Sequence, residues 1–76
     1  MQTIEPDQIW QEDYPYKAPR FVRVISVGDD TARIRTCGED GVFKAGTRIG
    51  HSLRSRFGKK GGYRFVMQVS AREASR

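Results

Sequence analysis

Between positions 44 and 64 the chain carries Lys44, Arg48, Arg54, Arg56, Lys59, Lys60 and Arg64 and no acid. Cations gathered on one surface attract a phosphate backbone and speed association with it. Arginine dominates, with ten Arg to four Lys in the whole chain. A planar, forked guanidinium binds phosphate or carboxylate in pairs of hydrogen bonds and stacks on flat rings. Arg33 and Arg35 are two apart in a strand-like run and so share a face, with Arg23 able to join them from a neighbouring strand. Tyr14 and Tyr16 sit in a proline-containing stretch. Exposed rings beside arginine can stack unpaired bases or line a groove for a proline-rich peptide. Arg48, Arg54, Arg56, Lys59, Lys60, Arg64, Arg33, Arg35, Tyr14 and Tyr16 are therefore the candidate contacts for a nucleic acid, DNA or RNA, or for an acidic protein surface. Three to five phosphate contacts predict a slope of about −3 to −4.5 in log K against log salt.

Each feature also has a plainer reading. A basic stretch can be a solvated face that keeps a small protein soluble. Arg33 and Arg35 can pair with Asp29 and Asp30, and one of the two tyrosines can cap the core with its hydroxyl wet. Phe43, after a glycine turn, either stands exposed or packs at a strand start. The glycines and lysines of 58–62 can present a nest of N–H groups to an anion or form a simple hairpin loop. No G-x-x-x-x-G-K-[ST] run is present. His51 is the single histidine, and Ser52 and Ser55 beside it lack an identifiable acid partner, so no catalytic triad is read. The acid pairs Glu12/Asp13, Asp29/Asp30 and Glu39/Asp40 are adjacent residues, which strands send to opposite faces, and turns account for them better. One His and one Cys make a poor metal site. The expectation is no catalytic residue, no metal and no cofactor.

These residues must be positioned by a single small domain, because 76 residues leave room for only one. A hydrophobic content of 37% supplies one core without a deep pocket, which argues against an enzyme. The net charge is +5, with Glu5, Asp7, Glu12 and Asp13 near the start and the cations toward the end. Cys37 is alone, which fits a reducing cytoplasm. There is no apolar run of membrane length and no signal-peptide pattern, so no membrane partner is expected.

The periodicity is that of strands. Residues 8–12 read as a first strand and 20–27 as the strongest, rich in β-branched residues. Its apolar positions break strict alternation, predicting a bulge near Ile25. Residues 31–37 alternate cleanly, with Ala32, Ile34 and Thr36 on one face. A fourth strand is expected within 42–49, a single helical or 3-10 turn within 52–57 burying Leu53 and Phe57, and a last strand over 63–69. The 13–19 stretch, holding Pro15 and Pro19, is expected as an extended, unpaired loop. The predicted core is Trp10, Val22, Val24, Ile34, Ile49, Leu53, Phe57 and Phe65. Five short strands with one helical turn before the last is the order of a small SH3-like five-stranded barrel, over residues 1–69. Residues 70–76 would be a flexible polar tail, with a short helical turn possible at 71–75. An OB-fold is the alternative, but it needs a helix not found here.

Asp7-Gln8-Ile9-Trp10, the 20–24 run RFVRV, Thr47-Arg48-Ile49, the 52–57 run SLRSRF and the 62–66 run GYRFV follow one another in that order. This succession resembles a pattern found in short proteins of actinobacteria and their phages. Two features depart from it: no basic residue follows in the Tyr14-Pro15-Tyr16 loop, and Gly50-His51 is inserted after Ile49. The resemblance implies a similar fold and a phage or mobile-element origin, and carries no activity with it. The strand order is also similar to that of Tudor and KOW modules, which bind proteins or nucleic acids, an analogy of fold alone. The reading is a non-enzymatic nucleic-acid-binding module acting through its basic face. The alternative is a protein-interaction module, such as a phage-encoded factor that modulates a host protein.

Overall fold

The computed structural model describes residues 3–14, 17–59 and 61–69, with the backbone alone for Tyr14 and Lys17. Five strands form one antiparallel sheet: β1 (Gln8–Tyr14), β2 (Lys17–Val27), β3 (Thr31–Cys37), β4 (Gly50–Leu53) and β5 (Tyr63–Gln68), in the order β4-β3-β2-β1-β5. A 3-10 turn, η1 (Arg54–Arg56), precedes β5. Hydrogen bonds do not close the sheet into a barrel, since β4 and β5 remain its two edges. Residues 70–76, and with them the expected tail and its helical turn, lie outside the described residues.

The β3 run behaves as its alternation predicts, with Ala32 and Ile34 buried and Arg33 exposed. The pairing of β2 with β3 skips a residue between Val24 and Ser26, the expected bulge at Ile25. Two expectations fail. The 13–19 stretch is a hairpin rather than an unpaired loop: β1 runs on to Tyr14, which pairs with Lys17. Pro19 lies inside β2, where its fixed φ is already extended. The fourth strand does not lie within 42–49. That stretch touches the sheet through one bridge, Cys37 to Phe43, before turning through Lys44 to Thr47, and β4 begins only at Gly50.

The later start of β4 decides two core assignments. Ile49 and Leu53 are 51% and 55% exposed rather than buried. Leu53 sits opposite Thr31 and Ser52 opposite Ala32, so the register turns Ser52, not Leu53, toward the core. Trp10, Val22, Val24, Ile34 and Phe57 are buried as expected, with Phe65 packed against them. Trp10 meets Phe57 and Phe65 edge-on at 5.0 and 5.4 Å, and Phe57 stacks on Tyr63 at 4.5 Å. Such ring pairs add about 0.5–1.5 kcal/mol each beyond area burial.

A second, smaller cluster lies on the opposite face: Ile9, Cys37 and Val69, flanked by Phe21 and Phe43. Adjacent Ile9 and Trp10 are thus both buried, one on each face of β1, and the β1–β5 register shifts between them. Gly41 (φ 85°) covers this second cluster, and a Cβ there would meet Ile9 Cδ1 at 2.9 Å. Only glycine combines that backbone angle with that approach.

Candidate anion-binding pocket

Pairing across three strands sets up the site. Glu12 on β1 stands opposite Arg20 on β2 and opposite Tyr63 on β5. Its side chain is only 7% exposed. A carboxylate so far removed from water needs counter-charges and hydrogen bonds. Arg20 Nη2 supplies one at 2.9 Å from Oε1, and Arg56 Nη2, from η1, another at 2.8 Å from Oε2. Arg20 also donates to the Tyr63 hydroxyl at 3.4 Å, and the Arg56 guanidinium lies 4.8 Å over the Tyr63 ring. Arg56 is held in place from behind by the following loop. Gly62 packs so closely on the Arg56 carbonyl that a Cβ at position 62 would overlap it.

Beside this triad lies a cavity of about 220 Å³. Val22 and Ile34 form its floor, and Arg20, Arg56, Arg48 and His51 line it. Arg48 makes no hydrogen bond or ion pair among the described residues, so its guanidinium is fully available. Ser52 lines the same cavity, and its hydroxyl is buried with no hydrogen-bond partner among the described residues. A polar atom left so costs about 1–3 kcal/mol, which a rotation onto a ligand in the cavity would recover. Three cations against one carboxylate leave the cavity with a net positive charge, in partly desolvated surroundings where charge-assisted hydrogen bonds are strong. The arrangement can hold an anion. Among the described residues no group of three or more His, Cys, Asp or Glu converges as metal ligands would.

The structure divides the sequence-derived candidates. Arg48 and Arg56 come together at the cavity. Arg54 instead donates to the Gly28 and Asp29 carbonyls at 3.0 and 3.2 Å, bracing the β2–β3 turn. Arg64 lies 3.5 Å from Asp13. Arg33 is exposed on the opposite sheet face. Arg35 borders the cavity where β3 passes it, but its Nε donates to Thr47 Oγ1 at 3.1 Å and its guanidinium covers Phe43 at 4.9 Å. The pairing of Arg33 and Arg35 with Asp29 and Asp30 does not form among the described residues. Arg23, on that same opposite face, bonds Asp7 and the Gly41 carbonyl, both at 3.0 Å. Lys60, Tyr16 and the side chain of Tyr14 lie outside the described residues.

Glu12, Arg20, Ser52 and Tyr63 were missed as site residues. The signal for the first two was present: a tight 13–19 hairpin would have placed Glu12 opposite Arg20. Lys59 and Arg64 border a second, larger cavity of about 360 Å³, walled by Trp10, Phe65, Tyr63 and the glycines at 58, 61 and 62. A pocket of that size was not expected of so small a core. The glycines at 58 and 61 leave open space beside their backbone, which a side chain would otherwise occupy. No protein-family model, no curated protein and no solved structure matches the chain.

Proposed function

We propose that this domain is a non-enzymatic nucleic-acid-binding module that holds backbone phosphate in the Arg20–Arg48–Arg56 cavity. The observation that carries the reading is that three arginines, from β2, from η1 and from the segment before β4, line one concavity. Arg48 has no partner among the described residues, and Arg20 and Arg56 are braced by Glu12. Bracing lowers the entropy lost when a flexible cation closes on a phosphate. The fold reading that goes with it is a small SH3-like barrel. The strand order supports it, as does the way η1 leads back to β5, with Phe57 bridging Tyr63 and the Gly58 N–H bonded to the Tyr63 carbonyl. Packing of Phe57 and Tyr63 would then close what the hydrogen-bond ladder leaves open. With no recognition helix, binding would follow the backbone rather than base sequence.

Fluorescence anisotropy with short single- and double-stranded DNA and RNA tests this. Binding should weaken with salt at a slope of about −2 to −3, as three phosphate contacts require. Arg48→Glu should abolish it, whereas Arg33→Glu, which changes net charge equally but on the other face, should retain most of it. Equal losses from the two variants would reduce the cavity to one part of a diffuse positive field. No binding at low salt would end the reading. One observation favours a second reading, a protein partner: the ring-walled cavity beside the 58–62 loop suits an apolar side chain better than a phosphate.

A further inference from the structure

The cavity has the charge, donors and size of a particular kind of phosphate. Arg20, Arg48 and Arg56 against Glu12 give three positive charges and one negative. A phosphate monoester carries about −1.5 to −2 at neutral pH and three terminal oxygens, whereas an internal diester carries one charge and two such oxygens. The three arginines line the cavity from three separate parts of the chain: β2, the segment before β4 and η1. The Ser52 hydroxyl, more than nine-tenths buried and without a partner among the described residues, is a further donor on the β4 wall. Four donor-bearing side chains around one small cavity are more than two diester oxygens use well. At about 220 Å³ the cavity is also smaller than the roughly 300 Å³ at which drug-sized ligand sites begin. It admits a phosphoryl group and leaves its carrier outside.

We infer that the Arg20–Arg48–Arg56–Ser52 cavity is a phosphate-monoester site, selective for the phosphorylated end of a nucleic-acid strand over its internal phosphates. This rests on the nucleic-acid reading above and names the group that reading would engage most tightly.

The test uses the whole chain and one short single-stranded oligonucleotide, prepared with a 5′-phosphate, with a 3′-phosphate and with neither. At least one phosphorylated form should bind about tenfold more tightly than the bare strand near pH 7.5, the gain expected of one or two added charge-assisted hydrogen bonds. Near pH 5, below the second phosphate pKa of about 6, that advantage should shrink. His51 borders the cavity where β4 passes it, paired with Arg33, and acts alike on every strand, so the ratio between strands is the quantity read. Glu12, the arginines and Tyr63 complete the titratable and charged groups around the ligand. Ser52→Ala should lower the advantage of the phosphorylated strand several-fold. Equal binding of phosphorylated and bare strands would overturn the monoester site and leave the backbone-binding module standing. Failure of all strands to bind, with phenyl phosphate also inert, would overturn both. Phenyl phosphate binding as tightly as the phosphorylated strand would uphold the monoester site and overturn nucleic acid as its carrier.

Discussion

On the face of the sheet that carries Trp10, Arg20 and Arg56 grip a buried carboxylate and flank an open cavity, with Arg48 uncommitted beside them. On the face that carries Ile9, Arg23 and Arg35 lie opposite each other on β2 and β3, and both cover the ring of Phe43. Arg23 is further tied to Asp7 and the Gly41 carbonyl, and Arg35 to Thr47. The residue type is the same and the use is opposite. On the second face the guanidiniums act as roof beams over a small core, each lying over the Phe43 ring and tied to a neighbour within the protein. On the first, Arg48 stands beside the cavity with no hydrogen-bond or ion-pair partner among the described residues. A count of arginines therefore says little about binding until each donor's existing partner is known.

The largest effect that would test this comparison is on stability. Trp10→Ala removes the ring that joins Phe57 to Phe65 and should cost about 3–5 kcal/mol, enough to unfold a domain of this size. Ile9→Ala, in the smaller cluster, should cost less, about 2–3 kcal/mol. Urea melts of the two variants check the order, and a reversal would mean that the Ile9 face is the principal core.

A smaller effect separates the two uses of arginine. Glu12→Gln should cost about 2 kcal/mol, since it leaves two guanidiniums with a weaker partner, and should tighten anion binding by removing the one negative charge at the cavity. Arg23→Met on the other face should cost about 1 kcal/mol through Asp7 and the Gly41 carbonyl and leave anion affinity nearly unchanged. Denaturation and anion titration on the same samples would decide. A fall in affinity in Glu12→Gln would mean that the carboxylate organises the cavity more than it opposes the ligand.

The smallest expected effect belongs to Cys37 on the Ile9 face. Burial pushes its thiol above the ordinary value, with Arg23 and Lys44 opposing the shift and Asp40 adding to it. A raised thiol pKa means that the folded state holds its proton where the unfolded chain releases it. This contribution to stability is complete below about pH 8.5, the unfolded thiol value, and declines as pH rises from there toward the folded one. Thermal melts across that range should show the decline, and Cys37→Ala should remove that component. A thiol reagent should react only as fast as the domain opens. Rapid labelling of the native protein would show that the Phe43 side of this cluster is loosely held.

The sequence by itself determined the β class, the bounds of β3, the bulge at Ile25 and the turn before the last strand. All of these follow from short-range patterns: alternation, β-branched content and glycine placement act within a few residues. It misplaced β4 and the first hairpin because both depend on which segment pairs with which. Pairing is settled by long-range register, and a small shift there changes which side chains face inward, as it exposed Leu53 and buried Ser52. Only the tertiary structure decided which of the many cations are free. Arg20 was an ordinary strand residue until the hairpin brought it opposite Glu12, and Arg54 looked as available as Arg56 until its guanidinium met the β2–β3 turn. A guanidinium's availability depends on where its neighbours in space put their oxygens, and for Arg54 and Arg56 those neighbours stand 25 to 44 positions away along the chain.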